Sequence, residues 1–348
     1  MKDINAERPA AQPAPMDMFS RTISYLRLSL TDRCNLKCMY CVTEDEKNGC
    51  LVKLGQDELL TYEELLRVVR VAVGMGISKL RLTGGEPLVR NNIMHFIRHL
   101  AEIEGLDDIR ITTNGVLLGK YAQGLFDAGV TKVNISLDTL QRERFAEITG
   151  VDCFDRVWKG IETALDLGFS PVKLNMVVMR DINDDELPAF AELSRKMPLQ
   201  IRFIEFMPIG TSTRWTRDTY MSTDEIKARF GALGELIPQE KQQADGPASV
   251  FKLGADAVGS LGFISPISHH FCDRCNRLRL TSEGRLRSCL LHDEETDLKS
   301  VLRAGCSDVD IRETLLTAIR NKPKGHQMAD RLKEDGGDCH GRMSRIGG

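Results

Sequence analysis

The chain has 348 residues, 42% of them hydrophobic, and a formal net charge of −3 at pH 7. This length allows one large globular domain or a large domain with a smaller one, and the balanced charge provides no general attraction for nucleic acid or an anionic membrane. No apolar run approaches the ~18 residues of a membrane-spanning helix, and residues 1–20 lack the apolar core of a signal peptide. We therefore expect a cytoplasmic protein with neither a nucleic-acid nor a membrane partner.

The first 20 residues are predicted to form a flexible N-terminal extension, because residues 5–15 are rich in alanine and proline without apolar periodicity. Residues 21–210 alternate short apolar-patterned runs with helix-like stretches, which is typical of a parallel α/β sheet or barrel. Thr61 and Glu64 form a capping box at the start of the first helix. Six strands are expected, at residues 25–30, 79–83, 108–113, 132–137, 172–178 and 200–206.

One face of these strands is polar. Successive side chains point to opposite sides of a strand, and the interior of a closed eight-stranded barrel is filled mainly by branched apolar side chains. The pattern therefore predicts an α/β fold with a partial, open (β/α)6 TIM-like barrel around a polar ligand; a sheet with one solvated face is the alternative. The polar set comprises Arg27, Ser29, Arg81, Thr83, Asn134, Ser136, Asp138, Lys173 and Asn175.

The alternation of strands and helices fades after Gly210, so that residues 211–348 are predicted to form a smaller C-terminal domain.

Ten cysteines in a long chain without a signal peptide indicate metal binding or redox chemistry rather than a disulfide framework. Two sets are clustered, Cys34, Cys38 and Cys41 after the first strand and Cys272, Cys275 and Cys289 in the C-terminal region. The others, Cys50, Cys153, Cys306 and Cys339, are interpreted as ordinary thiols.

Each cysteine set provides three thiols, whereas structural zinc takes four protein ligands. Three cysteines on a cubane of four irons would instead leave one iron open for chemistry. Zinc remains the alternative at both sets, completed by a distant residue at the first and by His269, His270 or His292 at the second.

The spacing C-x3-C-x2-C, with Tyr40 before the last cysteine, resembles the signature of the radical S-adenosylmethionine (SAM) superfamily. In that superfamily SAM chelates the open iron, and one-electron reduction yields methionine and a 5′-deoxyadenosyl radical. The resemblance makes GGEP at residues 84–87 the loop that receives the amino group of SAM, although the same residues are also ordinary turn chemistry.

Arg277 and Arg279 lie beside the second cysteine set at strand spacing. Guanidinium groups bind phosphate through paired, charge-assisted hydrogen bonds. Together with Arg27, Arg81 and Lys173 on the inner face, they predict an anionic, phosphorylated substrate.

From about Ser24 to its end, the chain resembles the GTP 3′,8-cyclase family of molybdenum cofactor biosynthesis. The motifs are TDRCNLKCMYC, KLRLTGGEPLVR, TTNG, VNISLD, RFIEFMPIG, FCDRCNRLRLTSEGRLRSCL and MSRIGG. The resemblance implies a SAM-binding [4Fe–4S] cluster on the first cysteine set and a second [4Fe–4S] cluster, whose open iron meets the guanine, on the other. It implies SAM contacts at Tyr40, Gly85, Glu86, Ser136 and Met207, and GTP contacts at Arg27, Arg81, Thr112, Lys173, Arg277 and Arg279.

The resemblance also implies the reaction. The radical takes hydrogen from ribose C3′, the carbon radical attacks guanine C8, and reduction gives (8S)-3′,8-cyclo-7,8-dihydroguanosine 5′-triphosphate. Catalytic roles are expected for Arg27, Arg277, Arg279 and a terminal Gly347–Gly348 tail that reaches the active site, although terminal glycines alone indicate only fraying. The implied partners are an electron donor such as a flavodoxin or ferredoxin, and cyclic pyranopterin monophosphate synthase, which takes the product; a homodimer is one option.

Two other functions stay open at this point. A peptide-maturing radical enzyme with an auxiliary cluster would need a peptide groove and usually more cysteines in its second region. A non-catalytic zinc or electron-transfer protein would not cleave SAM, and the polar lumen speaks against it.

Overall fold

The computed structural model describes residues 13–42, 53–210, 215–240, 246–326, 328, 339 and 341–347. The strands are β1 (Tyr25–Ser29), β2 (Lys79–Thr83), β3 (Asp108–Thr113), β4 (Lys132–Ser136), β5 (Val172–Val178), β6 (Leu199–Glu205), β7 (Leu236–Pro238), β8 (Ser249–Leu253), β9 (Ser260–Ile264), β10 (Arg277–Leu280), β11 (Arg285–Arg287) and β12 (Glu295–Asp297). The six expected strands match β1–β6 to within one residue at each end.

The helices are numbered within the described residues. They are α1 (Tyr62–Gly74), α2 (Ile93–Ala101), α3 (Leu118–Asp127), α4 (Arg142–Thr149), α5 (Phe154–Asp166), α6 (Leu187–Lys196), α7 (Thr223–Ala228), α8 (Lys299–Arg303), α9 (Asp308–Arg320) and α10 (Met343–Ile346). The predicted capping box is confirmed, since Thr61 Oγ1 accepts from Glu64 N at 3.2 Å and Glu64 Oε2 accepts from Thr61 N at 2.7 Å. No helix of the described residues is long and apolar enough to cross a membrane.

The described strands form a single sheet in the order β12-β11-β10-β1-β2-β3-β4-β5-β6-β9-β8-β7. Strands β1–β6 are parallel, β10 joins β1 in parallel, and β9 joins β6 in parallel. The sheet does not close, because β9 and β10 are not neighbours in this order. The predicted open, partial barrel is thus confirmed, and the C-terminal region extends the same sheet at both edges.

The alternating pattern sends one set of side chains outward into the core. Leu26, Leu28, Leu80 and Leu82 are 0–1% exposed and belong to the main apolar cluster, which also contains residues of α1 such as Val68. Full burial of a leucine side chain stabilises a fold by roughly 1.5–3 kcal/mol. The apolar face therefore holds the strands in place, and the opposite face is free to carry polar groups.

The described part of the predicted N-terminal extension, residues 13–20, forms a turn. Met16 pairs with Thr22 in an antiparallel bridge, and the Asp17 carboxylate accepts from the backbone N–H groups of Phe19 and Arg21 at 2.9 and 3.0 Å. Residues 1–12 of the extension and Gly348 of the tail lie outside the described residues. The predicted domain boundaries stay predictions.

Candidate active site

The GGEP turn after β2 is bonded to the base of the first cysteine loop. Gly85 N donates to Thr31 O at 2.7 Å, and Glu86 N donates to Arg33 O at 2.8 Å. A Cβ atom on Gly85 would lie 2.3 Å from Arg33 O, and one on Gly84 would lie 2.6 Å from Thr31 O. Only glycine permits this approach of two backbones, so that the motif has a packing reason beyond turn chemistry.

The Glu86 carboxylate is 0% exposed and faces into the protein. It accepts hydrogen bonds from Leu88 N at 3.0 Å, Thr113 Oγ1 at 2.8 Å and Asn114 N at 2.6 Å. Burial raises the pKa of Glu86 to about 7, although these three donors act in the opposite direction. Glu86 thus braces the ends of β2 and β3, and its contact with SAM stays a prediction.

The first cysteine set lies on this turn. Cys34 is exposed, Cys38 and Cys41 are partly buried, and Cys41 N donates to Cys38 O at 2.9 Å. Burial and then the neighbouring Cys41 raise the pKa of Cys38 well above its usual value. The Asn114 amide lies 3.6 Å from Cys34 Sγ, which links this loop to the end of β3.

Tyr40 is anchored between the first cysteine set and β4. Its hydroxyl donates to Asp138 Oδ2 at 2.6 Å, and burial raises the pKa of Asp138 to about 6. The ring contacts Phe206 edge-on at 6.4 Å between centroids. These contacts give Tyr40 a packing role, and its contact with SAM stays a prediction.

The second cysteine set lines a cavity of about 530 Å³ on the inner face of the sheet. Burial alone would raise the pKa of Cys275, but the positive charges of Arg277 and Lys322 outweigh it and lower that pKa to about 7. A lowered thiol pKa favours the thiolate, which is the form that binds iron.

The cysteine geometry bears on the choice between zinc and iron–sulfur clusters. Within the described residues, no three His, Cys, Asp or Glu side chains converge to hold a single metal ion. Zinc needs such convergence, whereas each cysteine of a cubane binds a different iron. Three thiols at each set are the ligand number of a cubane with one open iron, and the choice between zinc and a cluster stays a prediction at this point.

Arginines from four adjacent strands form a row across the inner face. The register pairs Arg279 with Arg27, Arg27 with Arg81, and Arg81 with Arg110. Burial, followed by the charge of Arg279, lowers the pKa of Arg27 well below its usual value. No acidic side chain lines the cavity in the part of the chain that the structure describes. Arg110 is paired with Asp108, and the other cations of the row repel one another, which favours an anionic ligand in the cavity.

The structure gathers most of the predicted ligand contacts around this cavity. Of the predicted GTP contacts only Thr112 is not a lining residue, but its Oγ1 accepts from Arg81 Nη1 at 3.1 Å and so adjoins the cavity. Of the predicted SAM contacts only Met207 lines the cavity; Tyr40, Gly85, Glu86 and Ser136 do not, and neither does the first cysteine set. The predicted residues that line the cavity are Arg27, Arg81, Lys173, Met207, Cys272, Cys275, Arg277, Arg279 and Cys289.

Among the lining residues that were not predicted as ligand contacts, five are polar residues of β1–β6: Tyr25, Lys79, Arg110, Asn175 and Arg202. The strand pattern contained a signal for Lys79, which lies two residues before Arg81 and shares its face. Arg202 Nε donates to Asn175 Oδ1 at 2.9 Å, and burial lowers the pKa of Arg202 to about 9. Burial alone would raise the pKa of Tyr25, but Arg81 and Arg27 lower it to about 8.

The described end of the C-terminal tail lies at the sheet, and its role in the active site stays a prediction. Gly347 O accepts from Arg279 Nη1 at 2.7 Å. Gly347 has φ +78°, and a Cβ atom there would lie 2.4 Å from Thr83 Cγ2. The tail therefore passes between the arginine row and the end of β2, beside Gly84.

Comparison with known proteins agrees with this geometry. The family model of the Radical SAM superfamily matches residues 28–194, and that of Molybdenum Cofactor Synthesis C matches residues 199–328. The structure of Streptococcus suis SuiB bound to S-adenosylmethionine is similar in fold, with a TM-score of 0.60 at 15% identity, over 91% of this chain and 76% of that one.

Full-length relatives are closer. A GTP 3′,8-cyclase of Thermodesulfovibrio yellowstonii is 51% identical over 310 residues, which are 89% of this chain and 94% of the relative. A GTP 3′,8-cyclase of Moorella thermoacetica is 47% identical over 332 residues, 95% of this chain and 99% of the relative. This chain belongs to the GTP 3′,8-cyclase family.

Membership of the GTP 3′,8-cyclase family confirms the resemblance that the motifs carried. The chain is a radical SAM enzyme of molybdenum cofactor biosynthesis, with SAM and a [4Fe–4S] cluster as cofactors. The roles of individual residues in this family member stay predictions.

Proposed function

We propose that the chain converts GTP into (8S)-3′,8-cyclo-7,8-dihydroguanosine 5′-triphosphate. The observation that carries the proposal is a cavity lined by one cysteine set and a row of arginines, without an acidic side chain among its described lining residues. A triphosphate needs such a cationic site. The alternative substrate, a peptide bound in a groove, would not need these charges.

The first cysteine set, Cys34, Cys38 and Cys41, is proposed to hold the SAM-binding cluster. Its loop follows β1, and the GGEP turn that supports it follows β2, so both lie at the carboxyl ends of parallel strands. In folds of this kind, ligand chemistry is concentrated at that end of the sheet. When bound there, the cluster and SAM supply a 5′-deoxyadenosyl radical.

The second cysteine set, Cys272, Cys275 and Cys289, is proposed to hold a second [4Fe–4S] cluster that meets the guanine. Three thiols on the cavity wall and the lowered pKa of Cys275 support this assignment.

We propose that GTP is bound by Arg27, Arg81, Thr112, Lys173, Arg277 and Arg279, and Thr112 also accepts a hydrogen bond from Arg81. Guanidinium groups stay protonated and hold phosphate in a fixed geometry. Binding of the triphosphate in this way would orient the ribose of GTP. Arg27, Arg277, Arg279 and the tail glycines are further proposed to act at the reacting nucleoside. The contact of Arg279 with Gly347 supports a tail that closes this end of the site.

We also propose protein partners, a location and an oligomeric state for the enzyme. A low-potential donor such as a flavodoxin or ferredoxin would supply the electron, and cyclic pyranopterin monophosphate synthase would take the product. A cytoplasmic location suits free thiols that must assemble clusters, because that compartment keeps thiols reduced. A homodimer is the proposed alternative to a monomer.

The test is an anaerobic assay of protein reconstituted with iron and sulfide. SAM and a strong reductant are added with and without GTP, and 5′-deoxyadenosine and cyclised nucleotide are quantified. GTP-dependent formation of both supports reaction and substrate together. SAM cleavage without cyclised nucleotide would reject GTP, and no cleavage at full iron load would favour an electron-transfer protein.

A further inference from the structure

A buried lysine lies behind the second cysteine set. Lys322, just after α9, is 3% exposed, and its ammonium group donates to Arg277 O at 2.9 Å and, by a short hydrogen bond, to Ser288 O. It is also within hydrogen-bonding reach of the Cys275 sulfur. Arg277 follows Cys275 by two residues and Ser288 precedes Cys289. One ammonium therefore joins two of the three cysteine-bearing segments.

A buried arginine holds the third segment against the same turn. Arg21 donates to Cys272 O at 2.7 Å and to Lys324 O at 2.9 Å through Nη1, and to Pro323 O at 2.6 Å through Nη2. Its Nε forms an ion pair with Asp17 at 2.6 Å, and the two side chains are 5% and 0% exposed. The turn at residues 322–324 is thus tied to every segment that carries a cysteine of the second set.

Arg21 and Lys322 differ in the partners that their charged groups contact. Arg21 has a carboxylate partner, whereas the described contacts of Lys322 are carbonyl oxygens and a cysteine sulfur. A buried charge is costly unless an opposite charge compensates it. An iron–sulfur cluster with its thiolates is such an anion, and its reduction potential depends on nearby charge and on hydrogen bonds at the sulfurs.

We propose that Lys322 and Arg21 form a cationic bracket that positions the second cluster, and that the charge of Lys322 makes this cluster easier to reduce. One-electron reduction adds one negative charge to the cluster, and an adjacent ammonium stabilises the more negative form. Both are positioning residues that lie behind the cysteine segments. The inference rests on the proposed second cluster.

The test separates charge from hydrogen bonding at one position. Cys34, Cys38 and Cys41 are replaced by alanine, so that only the second cluster can assemble, and its midpoint potential is measured by an electron paramagnetic resonance titration with mediator dyes. Lys322→Gln keeps N–H donors for Arg277 O and Ser288 O but removes the charge. We expect full iron load with a more negative potential, while Lys322→Arg stays close to the parent. Lys299→Gln, which removes a lysine bonded to Glu58 O away from the cysteines, is the control.

Arg21→Gln tests the other half of the bracket. Arg67→Gln is a matched control, because Arg67 also joins an aspartate, Asp308, to a cysteine carbonyl, that of Cys306, at 2.7 and 2.6 Å. We expect Arg21→Gln to lose iron to a chelator several-fold faster than the parent, and Arg67→Gln to match the parent. Melting curves of the iron-free proteins check that each variant folds.

The outcomes are distinct. A Lys322→Gln potential equal to that of the parent at full iron load would overturn the charge effect, and equal iron loss by Arg21→Gln and the parent would overturn the positioning role. A folded Lys322→Gln chain that binds no iron would contradict the expected full load and would overturn the proposed effect on the potential in favour of a requirement for the ammonium in assembly. If the parent itself binds no cluster, the proposed second cluster is wrong, and the bracket that rests on it is overturned with it.

Discussion

The guanidinium group of Arg279 donates a hydrogen bond of 2.7 Å to the carbonyl oxygen of Gly347. These residues are 68 positions apart, and the contact joins the C-terminal tail to the arginine row of β10 and β1. Arg279 is 5% exposed, and burial is the largest cause that lowers its pKa, to about 10. The tail carbonyl thus gives the buried guanidinium group of Arg279 a polar partner.

Gly347→Ala is expected to lower cyclised nucleotide at least tenfold while SAM cleavage continues. The added Cβ would lie 2.4 Å from Thr83 Cγ2, which forces the tail away from Arg279. Gly129→Ala is the control, since Gly129 has a similar φ of +79° but nothing within 4 Å of the added atom. Product and 5′-deoxyadenosine are quantified side by side. Wild-type product yield from Gly347→Ala would contradict a role for the tail.

Arg277→Ala and Arg279→Ala are expected to cripple GTP turnover while the first cluster still binds SAM. Loss of a hydrogen bond to a charged group costs about 1.5–3 kcal/mol, which is roughly ten- to a hundredfold in affinity for GTP. Equilibrium binding of GTP and SAM to the reconstituted protein measures both effects. Arg320→Ala, at a side chain 57% exposed on α9, is the control. If both cavity variants turn over GTP normally, these arginines do not bind the substrate.

The six barrel strands could be predicted from the sequence because each contains its own signal. Alternation of leucine or valine with polar residues gave β1–β6 and correctly indicated a polar inner face. The pairing of Leu26 with Leu278 could not be derived this way. The alternation of Arg277, Leu278, Arg279 and Leu280 indicates a strand, but it does not identify the partner strand, which lies far away along the chain.

Some residues of the candidate site could likewise be predicted from the sequence, and others could not. Both cysteine sets and the arginines beside them were recognisable from spacing, and family resemblance supplied their expected roles. Arg21 and Lys322 were not singled out, because each is an ordinary charged residue in the sequence. Only folding reveals that both are buried and that their donors meet carbonyl oxygens beside the cysteines.

Gly85→Ala is expected to abolish most SAM cleavage. The added Cβ would lie 2.3 Å from Arg33 O, and a backbone atom cannot rotate away as a flexible side chain can. The first cysteine loop must then shift, so that we expect at least tenfold less 5′-deoxyadenosine and less iron at the first set. Gly231→Ala, where the nearest atom is Ala228 O at 3.6 Å, is the control. Normal SAM cleavage by Gly85→Ala would mean that the turn tolerates displacement.

Glu86 is expected to make the iron-free protein less stable as the pH rises from about 4.5 to about 7. Burial raises the pKa of Glu86 from 4.5 to about 7, so the folded state binds a proton more tightly than the unfolded chain. This contribution to stability is complete below the unfolded pKa and is lost as the pH passes through the folded pKa. At 1.36 kcal/mol for each pKa unit, the loss is about 3 kcal/mol.

Glu86→Gln removes the titrating group, so the difference in unfolding free energy between about pH 5 and about pH 8 should shrink. Part of the difference remains, because burial also raises the pKa of Asp138, to about 6, and that group acts in the same direction. Urea unfolding of the iron-free protein at both pH values measures this difference in unfolding free energy. Glu147→Gln, at an exposed position on α4, should keep the full wild-type difference. An undiminished difference in Glu86→Gln would show that the Glu86 carboxyl keeps an ordinary pKa in the folded chain.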